Sequence, residues 1–162
     1  MFIFLDLDGV LVPEKKFETP VSPEAFMAFD PDCLREFETV LRSFPPTQVV
    51  ITSSWREVYP FEVIPPLFSP DMAPRVVGAT PFLDPRVVHA SRYVRHQEVL
   101  AYLEQIDQCD SPWVAIDDIP EHYPPEISVV VTDAYHGFDA RTAAILQQRL
   151  HALQSFHSLK GD

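Results

Sequence analysis

Lysine is scarce in this chain: among 162 residues it occurs at positions 15, 16 and 160 and nowhere between. Twelve basic residues against 24 acidic ones give a formal charge of −12, which disfavours tight, nonspecific binding to nucleic acid. The four glycines form neither a G-x-G-x-x-G run nor a Walker A loop, so the usual glycine-rich phosphate cradles are excluded. Cys33 and Cys109 stand far apart without a C-x-x-C spacing, which excludes a redox pair or metal knot and leaves buried free thiols as the expectation. His89, His96, His122, His136, His151 and His157 lack an H-E-x-x-H pattern, so zinc chemistry is not indicated. No apolar run approaches the roughly 18 residues that span a bilayer. The apolar start, Met1 to Leu5, has no basic segment before it and is followed at once by aspartates, so no signal peptide is read and a cytosolic location is expected.

What is present is globular. Hydrophobic residues make up 46% and charged residues 22%, which with this length suits one domain over 1–162. Phe2 to Leu5 is a continuous apolar run ending at Asp6, the pattern of a central strand buried on both faces. Gln48 to Ile51 is a second, ending in Thr52-Ser53-Ser54. Between them Asp30 caps a helix with Pro31 in its first turn, and Leu34, Phe37, Val40 and Leu41 share one face.

Arg75-Val76-Val77 predicts a short strand, and Val94 to Ile106 a helix carrying Val99, Leu100, Leu103 and Ile106. Pro112 to Ile116 predicts a strand ending at Asp117-Asp118, and Ile127 to Val131 another. Asp139 caps a last helix with Leu146, Leu150 and Leu153 in a stripe. Alternating strands and helices imply an α/β fold, a parallel sheet with helices on both faces. Residues 12–29 and 55–74 are proline-rich and aperiodic; short flaps over the site are expected there, neither long enough for a separate domain.

In such sheets ligands bind at the carboxyl ends of the strands. There the chain places Asp6 and Asp8, then Thr52 and Ser53, then Asp117 and Asp118. Four carboxylates on one edge repel unless a cation sits among them, and hard oxygen ligands at an open site favour Mg²⁺. After the last strand, His136 reads as a turn residue, with lining of the pocket as the alternative, and Asp133 as fixing the loop through a hydrogen bond in preference to binding metal.

Asp6-Leu7-Asp8-Gly9-Val10-Leu11 resembles the first signature of the haloacid dehalogenase (HAD) superfamily, D-x-D-x-[TV]-[LV]. Thr52 after Val49-Val50-Ile51 is similar to the second signature, and Ile116-Asp117-Asp118 to the fourth. The resemblance covers residues 1 to about 155 and implies a three-layer Rossmannoid sheet with a minimal cap or none. The third signature is normally lysine, absent here, so Arg95, or Arg92 close by, stands in for it. That departure, with Ser53-Ser54-Trp55-Arg56, resembles a subgroup found in bacterial RNA-repair proteins.

The resemblance implies a Mg²⁺-dependent phosphatase. Asp6 would be the nucleophile, Asp8 the general acid, and Thr52 and Arg95 the groups that hold the phosphoryl oxygens. Asp6, Asp8 through its carbonyl, Asp117 and Asp118 would bind the metal, with the order of the last two open. Ser53 and Arg56 are candidate substrate contacts, although Arg56 also reads as a surface charge and Trp55 as core. The substrate expected is a small phosphorylated metabolite or nucleotide, with nucleic acid only as an end phosphate, and no membrane partner. A noncatalytic phosphate-binding module remains the competing reading, motivated by the missing lysine; a mutase or dehalogenase is a third, less suited to a second acid at Asp8. Oligomeric state leaves no mark in the sequence.

Overall fold

The computed structural model describes residues 1–160, and the side chains of these except Pro23, Glu24 and residues 156–160. Five parallel strands form one sheet: β1 (Phe2–Leu5), β2 (Gln48–Ile51), β3 (Val76–Ala79), β4 (Trp113–Asp117) and β5 (Val129–Val131), in the order β3-β2-β1-β4-β5. β1 lies in the middle, which its unbroken apolar run requires: Ile3 and Leu5 bury on one face, Phe2 and Phe4 on the other. The expected α/β sheet is present.

Five α-helices accompany the strands: α1 (Pro23–Met27), α2 (Pro31–Ser43), α3 (Pro85–Ala90), α4 (Val94–Gln105) and α5 (Ala140–Lys160). Asp30 caps α2, its Oδ1 accepting from the backbone N–H groups of Asp32 and Cys33, with Pro31 at the start. Asp139 accepts from the Thr142 N–H in the first turn of α5. Cys33, Phe37, Val40 and Leu41 of α2 and Leu146 and Leu150 of α5 bury against Ile3, Leu5, Val49 and Ile51. On the opposite face Val99, Tyr102 and Leu103 of α4 meet Phe2, Phe4, Val50, Ala115 and Tyr123. Each such aliphatic or phenyl group withdrawn from water contributes about 1.5–3 kcal/mol before chain entropy is counted.

Several sequence expectations are corrected. β3 extends to Ala79 and β4 takes in Asp117, so that carboxylate belongs to the sheet and not to the loop after it. β5 begins only at Val129, because Ile127 N–H turns back onto the Pro124 carbonyl. The helix α3, capped by Asp84, was not anticipated. Cys109 is exposed, against the expectation of burial, because it follows the end of α4 in a turn; Cys33 is buried as expected. Residues 55–74 form a string of 3₁₀ turns that seats Ile64, Phe68 and Met72 in the larger core. This segment is therefore a packed part of the α2 side rather than a free flap. Glu38 holds it there, accepting from the Ser69 N–H at 2.7 Å and the Ser69 hydroxyl at 2.6 Å.

Candidate active site

The register of the strands builds the site. Leu5 pairs with Ile51 and with Ile116, and Ile51 pairs with Ala79. One residue further along, Thr80, Thr52, Asp6 and Asp117 therefore stand side by side across four strands. Backbone bonds carry the ladder to that level: Asp6 N–H donates to the Ile116 carbonyl at 3.0 Å, Thr52 N–H to Leu5 at 2.9 Å and Thr80 N–H to Ile51 at 2.9 Å. Alternation along each strand turns this row to the face covered by α4, and all four side chains are buried.

Asp118, directly after β4, completes a group in which Asp6, Asp117 and Asp118 each offer a carboxylate oxygen within 4.8 Å of the others. Burial, then the neighbouring Asp117 charge, pushes the Asp6 carboxyl up to about 7, despite the opposing pull of Arg95 and the Leu7 N–H. The Asp118 carboxyl is raised by burial and by Asp117 in the same way. Three acceptor-only carboxylates held this close are a donor set that suits a hard divalent cation, which would relieve the repulsion that raises Asp6.

Asp8 lies past β1 in a tight turn. The buried Leu7 side chain anchors that turn, and the Leu7 carbonyl accepts from the N–H groups of Val10, Leu11 and Val12. The Asp8 side chain is exposed at the mouth, and its Oδ1 accepts a hydrogen bond from the Trp55 indole at 3.0 Å. Gly9 is required twice over. Its φ is +68°, and a Cβ added there would lie 2.5 Å from Asp118 Cγ. Gly9→Ala should therefore lower unfolding free energy in urea by about 1–2 kcal/mol from backbone strain alone, and should displace the Asp118 carboxylate as well.

Of the two candidate arginines, Arg95 is the one brought to the acids. It is largely buried at the first turn of α4, acts on Asp6 electrostatically, and reaches Glu98 Oε2 at 3.2 Å. Arg92 is exposed, with its guanidinium over the Tyr93 ring. Arg56 is not a surface charge. Its side chain is 5% exposed, and its guanidinium bonds to Glu98 Oε1 at 2.5 Å and to the carbonyls of Thr52 at 2.5 Å and Ser53 at 3.0 Å. Ser53 Oγ accepts from the Trp55 N–H at 3.3 Å, holding the turn that follows β2.

A model of the HAD domain in Swiss Army Knife RNA repair proteins matches residues 2–143. The chain belongs to this family. No curated protein and no solved structure matches it. Of the residues that carried the resemblance, Asp6, Thr52 and Asp117 stand in the row described above, Asp118 follows it, Asp8 lies in the turn past β1, and Arg95 is within electrostatic reach of Asp6.

Four residues of this HAD domain escaped the sequence reading. Glu98 is buried and gathers Arg56 and Arg95; its only sequence trace is its helical spacing from Arg95 and from buried Tyr102. Trp55 is core, as read, but it also directs Asp8. Thr132, after β5, donates to the Gly9 carbonyl at 2.8 Å and ties the Asp8 turn to the sheet. His122 Nδ1 lies 3.3 Å from Asp117 Oδ2, whose companion Oδ1 accepts from the Ile119 N–H. Asp133 accepts from the His136 N–H and fixes its loop, as expected. Among the described residues no helix is long and apolar enough to cross a membrane.

Proposed function

We propose that this HAD domain is a Mg²⁺-dependent phosphomonoesterase that works through an aspartyl-phosphate on Asp6. The observation that supports it is the row Thr52–Asp6–Asp117 at one register level, with Asp118 and Arg95 closing on it. A carboxylate Oδ of Asp6 attacks phosphorus as the bond to the leaving oxygen breaks, and Asp8 gives that oxygen its proton. Water then attacks phosphorus, its proton returns to Asp8, and the bond between Asp6 and phosphorus breaks to release inorganic phosphate. Thr52 donates to a non-bridging oxygen, and Arg95 adds fixed positive charge. Asp6, Asp117, Asp118 and the Asp8 carbonyl are the groups that would hold Mg²⁺, which when bound offsets the repulsion between carboxylate and phosphate.

A small phosphorylated metabolite or nucleotide fits the acidic chain. A second reading, the end phosphate of an RNA strand, is favoured by the family's RNA-repair description. It is also favoured by a groove of about 470 Å³ lined by Arg92, Tyr93, Pro120, Glu121, Tyr123 and Pro125. The deciding test is release of inorganic phosphate from aryl phosphate, metabolites, nucleotides and end-phosphorylated oligonucleotides, with and without Mg²⁺. Metal-dependent turnover of any of them supports the phosphatase, and the preferred substrate chooses between the readings. Silence across the panel favours a noncatalytic phosphate-binding module.

Two further outcomes follow. Trp55→Phe keeps most of the ring packing but removes the donor to Asp8, so alkyl phosphates, which need the acid, should slow about 10-fold while aryl phosphates slow less. Equal losses on both would reduce Trp55 to a packing residue. The second concerns pH. Because the Asp6 carboxyl sits near 7 in the folded chain and near 3.8 as a free group, its contribution to stability is complete at acid pH and disappears as pH rises through 7. Mg²⁺ binds the ionised form, so the rise in Tm on adding it should be larger at about pH 8 than at about pH 5. A pH-independent rise would contradict the assignment of Asp6 as a ligand.

A further inference from the structure

Thr52, Thr80 and Tyr123 share a feature: each has a buried side-chain oxygen with no hydrogen-bond partner. All three lie toward the carboxyl edge of the sheet on the α4 side. Folding alone does not favour such a group, since a buried hydroxyl that has left water without a new partner destabilises the folded state. Thr52 is accounted for as a phosphoryl contact, and Thr80 follows the edge strand β3, at the far end of the row from Asp117. Tyr123 is the one that nothing above employs and that lies within electrostatic reach of Asp117, Arg95 and Asp6.

Tyr123 ends the 3₁₀ turn Pro120–His122 and is 2% exposed. Its ring belongs to the apolar cluster of Phe4, Val50, Val99 and Ala115, immediately beneath the row that carries Asp6. A phenylalanine would fill that space equally well. The hydroxyl lies beside that of Thr52 but completes no hydrogen bond with it, and it is within electrostatic reach of Asp117, Arg95 and Asp6. The same residue lines the groove that opens past Arg92 and Tyr93. An unpartnered phenol is thus held within electrostatic reach of the acids and the arginine, on a residue that also lines the neighbouring groove. A phenol carries its proton at neutral pH and offers a donor that a carboxylate-rich site otherwise lacks.

We propose that the Tyr123 hydroxyl donates a hydrogen bond to a non-bridging oxygen of the transferred phosphoryl group, alongside Thr52; this rests on the phosphatase reading above. The phenolic proton stays on Tyr123 throughout, and the bonds made and broken at phosphorus remain those of Asp6, the leaving oxygen and water. A donor aimed at charge that develops during transfer acts on kcat more than on KM.

The test is Tyr123→Phe in the full chain, with Thr47→Val as its comparison. Thr47 has another unpartnered buried hydroxyl, placed before β2 at the opposite edge of the sheet. Both variants should match or exceed the parent in Tm, because each loses an unsatisfied group. Only Tyr123→Phe should lower kcat on an aryl phosphate, by about 100-fold with KM little changed. It should also weaken binding of orthovanadate, a mimic of the transferring group, while leaving calorimetric Mg²⁺ affinity unchanged. Parent-like kcat together with parent-like vanadate affinity overturns the proposal. If the parent itself shows no turnover, the phosphatase reading fails separately, and vanadate and inorganic phosphate binding still decide Tyr123: equal affinity in parent and variant sinks it. Should Tyr123→Phe not fold, Tyr123→Met serves for the same binding measurements.

Discussion

Asp6→Asn is expected to reduce phosphate release by at least about 10³-fold while making the metal-free protein more stable at alkaline pH. The first effect follows from chemistry, because an amide oxygen is no nucleophile toward phosphorus and the covalent route closes with it. The second follows from burial. In the native chain Asp6 shares a dry site with Asp117, and its carboxyl is pushed up to about 7 from an ordinary 3.8. Ionising it above that point costs the folded state on the order of 4 kcal/mol at most. Asparagine carries no such charge, so the variant should melt higher than the parent near pH 8 without Mg²⁺ and about equally near pH 4. Adding Mg²⁺ should narrow or reverse the gap, since the parent gains a ligand that the variant has lost. Undiminished turnover would reject Asp6 as nucleophile, and unchanged alkaline stability would reject the electrostatic account.

Glu98→Ala is expected to be the most destabilising single change near the site, by about 3–5 kcal/mol in urea unfolding, with turnover falling as well. Glu98 is buried on α4 and holds Arg56 at 2.5 Å and Arg95 at 3.2 Å. The Arg56 pKa is already lowered, by burial first and by the positive Arg95 nearby, with Glu98 as the main offset. Without the carboxylate two guanidinium groups are left close together in a dry place. Arg56 would then loosen its grip on the Thr52 and Ser53 carbonyls, and Arg95 would lose its orientation toward Asp6. Leu100→Ala, at an exposed position of the same helix, supplies the control and should change stability by less than about 1 kcal/mol. A Glu98→Ala protein as stable as that control would show that the pair contributes nothing.

The elements of the site that could be read directly are those that obey a local rule. An apolar run that stops at a polar residue marks a strand end, and three such ends carry Asp6, Thr52 and Asp117. The residues that could not be read act across elements. Glu98 looks like a helix-surface acid until α4 is laid on the sheet, and Arg56 looks like a mobile cation until Glu98 and two carbonyls close around it. Tyr123 lies in a proline-rich connection with no periodicity to show that its ring turns inward. The packing of 55–74 is hidden for a different reason: Ile64, Phe68 and Met72 have the i, i+4, i+8 spacing of a helix face, but prolines at 60, 65, 66, 70 and 74 break any regular helix there and short 3₁₀ turns place them instead.

The amino-acid order by itself determined a parallel α/β sheet, its central strand, and the acids and hydroxyl at its carboxyl edge, because hydrophobic period and strand termination are local properties of a chain. Only the tertiary structure decided that Asp6 stands between Thr52 and Asp117, that Arg95 is within electrostatic reach of it, and that Glu98 and Tyr123 belong to its surroundings. Those facts depend on strand register and on which helix covers which face. Both are settled by burying many apolar side chains at once, a collective balance that no single stretch of sequence contains.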